Sequence, residues 1–165
     1  MPTSPHYEIE GAAERRETCG GARVTLTIRE ALRVEWGDCD PLGIMFYPNC
    51  FRWFDTATHH LFDTAGLPMS GLEQGFGIIG CPLVDVGASF KSPLPWMTRI
   101  EVETSVAEWR NTSFVVRHLV WKGEDLAIEG REIRVCVARQ ADDPKRLKGI
   151  EIPAALKGRF AGSGG

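Results

Sequence analysis

One stretch of this chain, residues 48–65, has the spacing of a long amphipathic helix, and the segments around it alternate as β-strands do. Pro48 suits the first helical position, and Gly66 suits the residue just after the last one. Because a single helix cannot bury its apolar face alone, it must pack against the strands. The residues that recur at intervals of three or four along this face are Phe51, Phe54, Thr58, Leu61 and Ala65.

The remaining segments show the alternation and the turn residues of β-strands. One strand precedes the helix and the others follow it, an order that favours consecutive antiparallel strands over repeated strand–helix–strand units. We therefore predict an α+β domain in which a curved sheet wraps around one long helix. Residues 131–134, Arg-Glu-Ile-Arg, indicate a solvated strand face. The predicted strands are residues 24–35, 82–91, 100–109, 113–121, 126–139 and 147–152.

Size and charge limit the class of protein. The chain has 165 residues, of which 43% are hydrophobic and 25% charged, as expected for one globular domain. We predict a flexible leader over residues 1–22, a single domain over residues 23–160 and a flexible tail over residues 161–165. The net charge of −3 argues against a general binder of nucleic acid or anionic membranes.

The location follows from the absence of targeting features. No run approaches the roughly 18 apolar residues of a membrane span, and the N-terminus lacks the pattern of a secretory signal. The five cysteines are odd in number and widely spaced, which favours reduced thiols over a disulfide framework or a zinc site. Adjacent His59 and His60 point about 100° apart on a helix and cannot chelate one ion together. We predict a cytoplasmic protein without a metal site.

Two motifs suggest other chemistry. Residues 75–80 match G-x-G-x-x-G, but a strand and not a helix follows them, so no helix N-terminus would face a pyrophosphate. Asp38 and Asp40 form an Asp-x-Asp that, with Asp142 and Asp143, could serve a magnesium-dependent phosphatase. Those enzymes have a parallel sheet with crossover helices, and this chain lacks that pattern. The phosphatase is therefore the less favoured alternative.

The segment from Trp36 to Asn49 places the carboxylates of Asp38 and Asp40 on a Gly- and Pro-containing loop just before the helix. A helix N-terminus offers unpaired N–H groups and a partial positive charge, which polarise a carbonyl and stabilise an oxyanion. A nearby carboxylate can attack the carbonyl carbon or activate water against it. The loop is consistent with a metal-independent acyl-transfer site, and equally with an ordinary loop that carries a helix-capping Asp.

This segment resembles the hotdog-fold acyl-CoA thioesterases, and most of all their 4-hydroxybenzoyl-CoA thioesterase branch. Its most specific part is Gly-Asp-Cys-Asp-Pro-x-Gly-Ile at 37–44, followed by Tyr-Pro-Asn and Arg-Trp-Phe-Asp. The likeness as a whole runs from about Arg33 to Pro153. It implies a long central helix wrapped by a five- to six-stranded antiparallel sheet. The other matching segments are Gly80-x-Pro82, Ala88-Ser-Phe90, Glu108-Trp-Arg110, Ser113-Phe-Val, Glu132-Ile-Arg-Val135 and Ile150-Glu-Ile-Pro153.

The resemblance also implies roles for particular residues. Asp40 would be the catalytic carboxylate, as nucleophile or general base, and the backbone N–H of Tyr47 would polarise the thioester carbonyl. Pro48 has no N–H, so Tyr47 and Asn49 are the available donors there. Such enzymes place their sites between the subunits of a dimer, usually paired again into a tetramer. Coenzyme A lies along the surface, and no separate cofactor is needed.

Three features depart from the family pattern. Asn111 and Thr112 stand where more basic residues are expected, residues 67–70 lack an aromatic side chain, and Cys81 replaces a small hydroxyl residue. Phosphate contacts would therefore rest on Arg110, with Arg146 and Lys148 as candidates. The predicted substrate- and coenzyme A-binding residues are Asn49, Cys81, Arg110, Ser113, Arg146 and Lys148.

The leading hypothesis is a homo-oligomeric thioesterase that hydrolyses an aromatic acyl-CoA, 4-hydroxybenzoyl-CoA or a related aryl-CoA, to the free acid and coenzyme A. The alternatives are a thioesterase for aliphatic acyl-CoA and a non-catalytic acyl-CoA-binding hotdog protein. A hydratase of the same fold is less favoured, because no His accompanies Asp40 in the loop.

Overall fold

The computed structural model of the chain describes residues 25–143 and 145–161. The predicted leader, and the predicted tail after Ala161, lie outside the described residues. Within them, no helix has both the length and the apolar character needed to cross a bilayer.

The long helix forms where the apolar spacing predicts it. Helix α1 spans Pro48–Thr64, with Pro48 in its first turn. Gly66 follows with a φ of 72°, a left-handed conformation that glycine adopts without steric cost. The N–H of Leu67 then donates to the Phe62 carbonyl at 2.9 Å, which closes the helix end. Two short helices follow later in the chain, α2 at Leu72–Phe76 and α3 at Ala154–Gly158.

Five strands form one antiparallel sheet in the order β1-β3-β4-β5-β2, and two more form a separate hairpin, β6-β7. These strands confirm the α+β class. Their bounds are β1 Thr27–Arg33, β2 Leu83–Phe90, β3 Arg99–Trp109, β4 Ser113–Lys122, β5 Asp125–Val135, β6 Val137–Arg139 and β7 Leu147–Gly149.

Strand β2 does not pair with β3, the next strand along the chain. It lies at the edge of the sheet opposite β1 and pairs with β5. The connection from 91 to 98 crosses the end of the sheet, a distance of about 14 Å for three strand spacings. Eight residues span that easily. The crossing brings Leu94 beneath the loop that precedes α1, where its carbonyl accepts the N–H of Met45 at 2.8 Å.

The core lies between α1 and one face of the sheet. Alternate residues of each central strand are buried against the helix, as the period-two pattern of a half-buried strand requires. In β3 these are Ile100, Val102, Thr104 and Val106, and in β4 they are Phe114, Val116, His118 and Val120. The buried residues of α1 are Cys50, Trp53, Phe54, Ala57, Thr58, Leu61 and Phe62.

The helix and the sheet approach each other closely at Phe54. A Cβ added to Gly130 of β5 would lie 2.2 Å from Cε2 of Phe54, so only glycine fits at this position. The Phe54 ring also stacks on the imidazole of His118, with centroids 4.3 Å apart and planes 6° apart. These two contacts of Phe54 fix the position of the helix relative to the sheet.

Candidate active site

The loop between β1 and α1 folds into a small hairpin in front of the helix. The N–H of Asp40 donates to the Ile44 carbonyl at 2.9 Å, and the N–H of Gly43 donates back to the Asp40 carbonyl at 2.9 Å. Gly43 makes this turn possible with a φ of 73°. The N–H of Phe46 donates to the Asp38 carbonyl at 2.8 Å. These bonds place Asp40 on one arm and the first residues of the helix on the other.

Asp38 holds this loop to the helix. Its side chain is 4% exposed, and Oδ1 lies 2.9 Å from Nη2 of Arg52. Its Oδ2 accepts the backbone N–H of Glu35 at 3.0 Å, and its carbonyl accepts Nδ2 of Asn49 at 2.9 Å. Both carboxylate oxygens of Asp38 therefore have partners in the loop or the helix. The structure thus assigns Asp38 a role in fixing the loop and distinguishes it from Asp40, which the sequence pattern alone could not do.

The carboxylate of Asp40 is only partly engaged by the protein. It is half-buried, and its Oδ1 accepts the Leu42 N–H at 2.8 Å. Within residues 25–143 and 145–161, Oδ2 of Asp40 makes no hydrogen bond and the carboxylate has no ion-pair partner. One oxygen is therefore oriented by the backbone, and the other is left for a substrate or a water molecule.

The start of α1 supplies one open backbone donor. Among the described residues the N–H of Tyr47 has no acceptor, whereas the N–H of Asn49 donates to the Phe46 carbonyl at 2.9 Å. Pro48 has no N–H to offer. Of the two donors expected from the sequence, Tyr47 is the one left open. Asn49 uses its backbone N–H and one side-chain N–H within the protein.

Apolar side chains surround this loop and remain in contact with solvent. Trp36 and Trp96 pack edge to face with centroids 5.5 Å apart, and the turn that carries Trp96 bonds to the loop through Gly43 at 3.1 Å. Exposed apolar groups of this size are typical of binding surfaces. Apart from Tyr47, whose backbone N–H was expected at the site, sequence reasoning assigned no binding role to these residues. The exposed apolar residues are Trp36, Leu42, Phe46, Tyr47, Trp96 and Met97.

The other predicted binding residues lie together at the opposite end of the sheet. Arg110 is exposed in the β3–β4 turn, where its guanidinium pairs with Glu108 at 3.0 Å. Ser113 accepts the Arg110 N–H at its carbonyl at 2.8 Å. Gly149, beside Lys148 in the β6–β7 hairpin, packs against Thr112 of the same turn.

Arg146 and Cys81 complete that second group. Arg146 closes the β6–β7 hairpin, where its carbonyl accepts the Gln140 N–H at 2.9 Å. Cys81 is buried beside Cys136, whose N–H donates to the Thr112 carbonyl at 2.9 Å. The side chains of Arg146 and Lys148 are exposed.

The two groups are separated by the length of strand β3. The Asp40 loop bonds to the turn at residues 95–98, just before β3, whereas Arg110 follows directly after β3. Ten residue steps at about 3.3 Å each give roughly 33 Å between the two ends. One protomer therefore does not bring Asp40 and Arg110 to one point.

A buried polar cluster joins α1 to the sheet next to the core. Glu132 is 1% exposed and accepts hydrogen bonds from Thr58 at 2.8 Å and from Arg134 at 3.0 Å. Arg134 also binds Asp55 at 2.6 Å. The prediction of a solvated face at 131–134 is therefore wrong for Glu132 and Arg134. The alternation is present, but these two positions point into the domain because α1 carries polar partners for them.

This cluster shifts the pKa values of its members. Although burial alone would raise the pKa of Glu132, the nearby His118 imidazole at 3.5 Å and the Arg134 guanidinium at 3.0 Å lower it to about 2. Burial lowers the pKa of His118, whose Nδ1 lies 3.0 Å from Oγ1 of Thr104. The cluster is a neutral imidazole beside an ionised carboxylate–guanidinium pair, and it fixes the position of α1.

Other features of the described residues stand apart from this chemistry. A groove of about 470 Å³ lies on the outer face of the sheet, and its arginines are paired, Arg117 with Glu129 and Arg131 with Asp85. No group of three or more His, Cys, Asp or Glu side chains in the described ranges could hold a metal ion. The element that follows residues 75–80 is strand β2 and not a helix. The G-x-G-x-x-G match therefore has no helix N-terminus after it to bind a pyrophosphate, as expected from the sequence.

Comparison with known proteins gives the family. Residues 34–160 match the Thioesterase-like superfamily. The chain is 41% identical over 130 residues to a 4-hydroxybenzoyl-CoA thioesterase of Pseudomonas sp. (strain CBS-3), covering 74% of this chain and 89% of that protein. The chain therefore belongs to the Thioesterase-like superfamily, and the predicted hotdog fold and thioester hydrolase are confirmed.

Solved structures agree with this assignment. A mutant 4-hydroxybenzoyl-CoA thioesterase in complex with 4-hydroxybenzoyl-CoA matches with a TM-score of 0.73 and 36% identity, covering 84% of this chain and 99% of that one. A gentisyl-coenzyme A thioesterase matches with a TM-score of 0.66 and 32% identity, covering 81% and 99%.

Proposed function

We propose that this chain hydrolyses an aromatic acyl-CoA, 4-hydroxybenzoyl-CoA or a related aryl-CoA, to the free acid and coenzyme A. One observation carries the proposal: a single hydrogen-bonded loop holds the open carboxylate of Asp40 beside the open N–H of Tyr47 at the start of α1. Two relatives that match most of this chain are named for hydroxylated aryl-CoA substrates. The exposed aromatic rings around the loop offer faces on which an aryl group can pack.

The chemistry follows from these two groups. The Tyr47 N–H and the positive end of α1 bind the thioester carbonyl oxygen and stabilise the negative charge that develops on it. Asp40 then either attacks the carbonyl carbon, expelling the coenzyme A thiolate and leaving an acyl anhydride for water to cleave, or takes a proton from the attacking water. Both routes use the same open oxygen, Oδ2. Neither route needs a cofactor.

We further propose that two copies of the chain complete each site. Strand β2 is an edge strand, and its apolar side chains Leu83, Val84, Val86 and Phe90 are exposed. Such an edge readily pairs with another strand. The start of β2 at Leu83 is level with the Arg110 end of the sheet, and its end at Phe90 is level with the Asp40 end.

Antiparallel pairing of two β2 strands would therefore place the Asp40 loop of one protomer beside the Arg110 end of its partner. This removes the separation of roughly 33 Å within one chain. Arg110, Ser113, Arg146 and Lys148 would then bind the coenzyme A phosphates of a thioester held at the neighbouring Asp40. A dimer, paired again into a tetramer in the cytoplasm, is part of this proposal.

A second candidate substrate is an aliphatic acyl-CoA. Leu42 and Met97 are 81% and 56% exposed beside the same loop, and flexible aliphatic side chains accommodate an alkyl chain as readily as a ring. This candidate keeps the mechanism and changes only the acyl group.

Thiol release from 4-hydroxybenzoyl-CoA, benzoyl-CoA and octanoyl-CoA, measured in EDTA, tests the proposal. We expect the aryl substrates to be cleaved faster than the aliphatic one. Faster release from octanoyl-CoA would move the enzyme to the second candidate. Binding of all three without thiol release would indicate a non-catalytic acyl-CoA-binding protein.

A further inference from the structure

Two cysteine side chains meet inside the domain, at the start of strand β2. The Sγ atoms of Cys81 and Cys136 are 3.7 Å apart. Cys81 is 7% exposed and Cys136 is 1% exposed, and both are unoxidised in the structure. No step of the proposed hydrolysis uses these two sulfur atoms as a pair.

The strand register places these residues opposite each other. Gly80 pairs with Val137, and Leu83 pairs with Arg134, so the antiparallel register between them sets Cys81 against Cys136. The N–H of Cys136 donates to the Thr112 carbonyl at 2.9 Å, and its carbonyl accepts the Ile150 N–H at 2.9 Å. Its backbone groups are therefore turned away from Cys81.

This arrangement is a non-hydrogen-bonded cross-strand pair. In such pairs the Cα atoms lie about 4.5 Å apart and the side chains are closest. That spacing falls within the range of about 4.4–6.8 Å that disulfides span. The sulfur atoms need to move together by less than about 2 Å to reach bonding distance, which side-chain rotation can supply without moving either strand.

We propose that Cys81 and Cys136 are a built disulfide site, which closes when the folded protein meets a peroxide or a diazene oxidant. With hydrogen peroxide, one thiolate attacks an oxygen, the O–O bond breaks, and a sulfenic acid and a hydroxide ion form. The proton that the thiol gave up converts the hydroxide to water. The second thiol attacks that sulfur, the S–S bond forms and a second water leaves. Two thiols and one peroxide thus give one disulfide and two waters.

The contact between the two thiols assists the first step. The hydrogen-bonding contact between the two sulfur atoms lowers the pKa of Cys136 and raises that of Cys81. The thiolate is the reactive form of cysteine, so Cys136 begins the reaction. Cys50 provides a contrast, because burial raises the pKa of its thiol to about 12 and keeps it unreactive.

The test treats the native full-length chain with diamide, blocks the remaining thiols with iodoacetamide and maps the peptides by mass spectrometry. We expect a Cys81–Cys136 peptide whose mass is lower by two hydrogen atoms and which dithiothreitol reverses. The residues are 55 positions apart, so closing this loop should raise the melting temperature by roughly 5 °C or more.

Variants make the assignment specific. The Cys39→Ser control should retain the linked peptide, whereas Cys81→Ser and Cys136→Ser should lose it. Oxidation that leaves Cys81 and Cys136 as free thiols in the native protein would overturn the proposal. So would a linked peptide that forms equally well in urea with mixed cysteine partners, because the folded geometry would then contribute nothing. These readouts do not involve activity, so they are independent of the proposed hydrolysis.

Discussion

The guanidinium of Arg52 lies 2.9 Å from the carboxylate of Asp38, and Asp38 is 4% exposed while Arg52 is 54% exposed. The pair ties the second turn of α1 to the loop that carries Asp40. Because the exposed arginine weakens the ion pair, the pair acts mainly by orientation. It holds the loop at a fixed place relative to the open N–H of Tyr47.

We expect Asp38→Ala to lower both stability and turnover. The Glu35 N–H would lose its acceptor and the ion pair between Asp38 and Arg52 would be lost, which should cost about 1–3 kcal/mol in the free energy of unfolding. The displaced Asp40 should lower kcat about 10-fold with little change in KM. Urea unfolding and steady-state thiol release measure the two effects. Arg52→Lys keeps the charge that faces Asp38, so this single variant should retain most of the turnover. A loss of kcat as large as that of Asp38→Ala would contradict a positioning role for the ion pair.

Asp40→Asn should lower the hydrolysis rate by at least about 100-fold. The substitution keeps the size of the side chain, and its amide oxygen can still accept the Leu42 N–H, so folding should be preserved. Asp63→Asn, at an exposed position near the far end of α1, is the matched control and should leave the rate unchanged. Near-native turnover in Asp40→Asn, with a native circular dichroism spectrum, would place the chemistry elsewhere.

Charges on the β2 edge should separate the subunits and abolish activity together. Val84 and Phe90 are 59% and 48% exposed, and a lysine at either position would place a charge in an apolar interface. Analytical ultracentrifugation should show Val84→Lys and Phe90→Lys shifted toward monomer, with thiol release lost in proportion. Lys145→Ala, at an exposed position away from this edge, is the control. A fully active monomer would rule out the shared site.

Acid should unfold this protein through the buried polar cluster. The native pKa of Glu132 is about 2, below its ordinary value of 4.5. A depressed carboxyl pKa stabilises the fold above pH 4.5, and that stabilisation is lost as the pH falls through about 2. The pKa of His118 is lowered from 6.5, so its contribution is present above pH 6.5 and fades below it. Both effects have the same sign.

Melting temperatures measured from pH 7 to pH 3 should therefore fall steadily. Glu132→Gln should start at a lower melting temperature at pH 7 and show a flatter profile between pH 4.5 and pH 3. A profile parallel to that of the native protein would show that Glu132 is not responsible for the acid sensitivity.

Gly130→Ala should destabilise the fold by about 1–3 kcal/mol, because the new Cβ would overlap the Phe54 ring. Gly87→Ala on the neighbouring strand is the control, since no atom lies within 4 Å of its added Cβ. Urea unfolding of both variants tests this. Adding Phe54→Leu to Gly130→Ala should recover part of the loss by making room, and no recovery would place the strain elsewhere.

The residues of the predicted site show how far sequence reasoning reached. The pattern placed a carboxylate loop before a helix N-terminus, and the family resemblance selected Asp40 and Tyr47. It could not tell that Asp38 is buried and paired, since both aspartates stand in the same motif. Asn49 was expected as a donor to substrate, and two of its N–H groups are used by Phe46 and Asp38.

The buried cluster could not be read from local pattern. Glu132 and Arg134 alternate along β5 as any solvent-exposed charges would. They are buried because Thr58 and Asp55 of α1, 74 and 79 positions away, supply hydrogen bonds. A buried charge is tolerated only where such partners exist, and partners this distant in sequence leave no signal in the alternation itself.

The sequence by itself determined the long helix, the approximate positions of the main strands and the loop chemistry. The 3.6-residue spacing and the Pro and Gly boundaries define α1, and the alternation defines the strands, because both depend on neighbours within a few residues. Only the tertiary structure decided that β2 crosses to the far edge beside β5, that the two groups of predicted site residues lie at opposite ends of β3, and that Cys81 faces Cys136. These relations depend on which strands pair. Pairing joins residues that are far apart along the chain, and local periodicity gives no information about such distant partners.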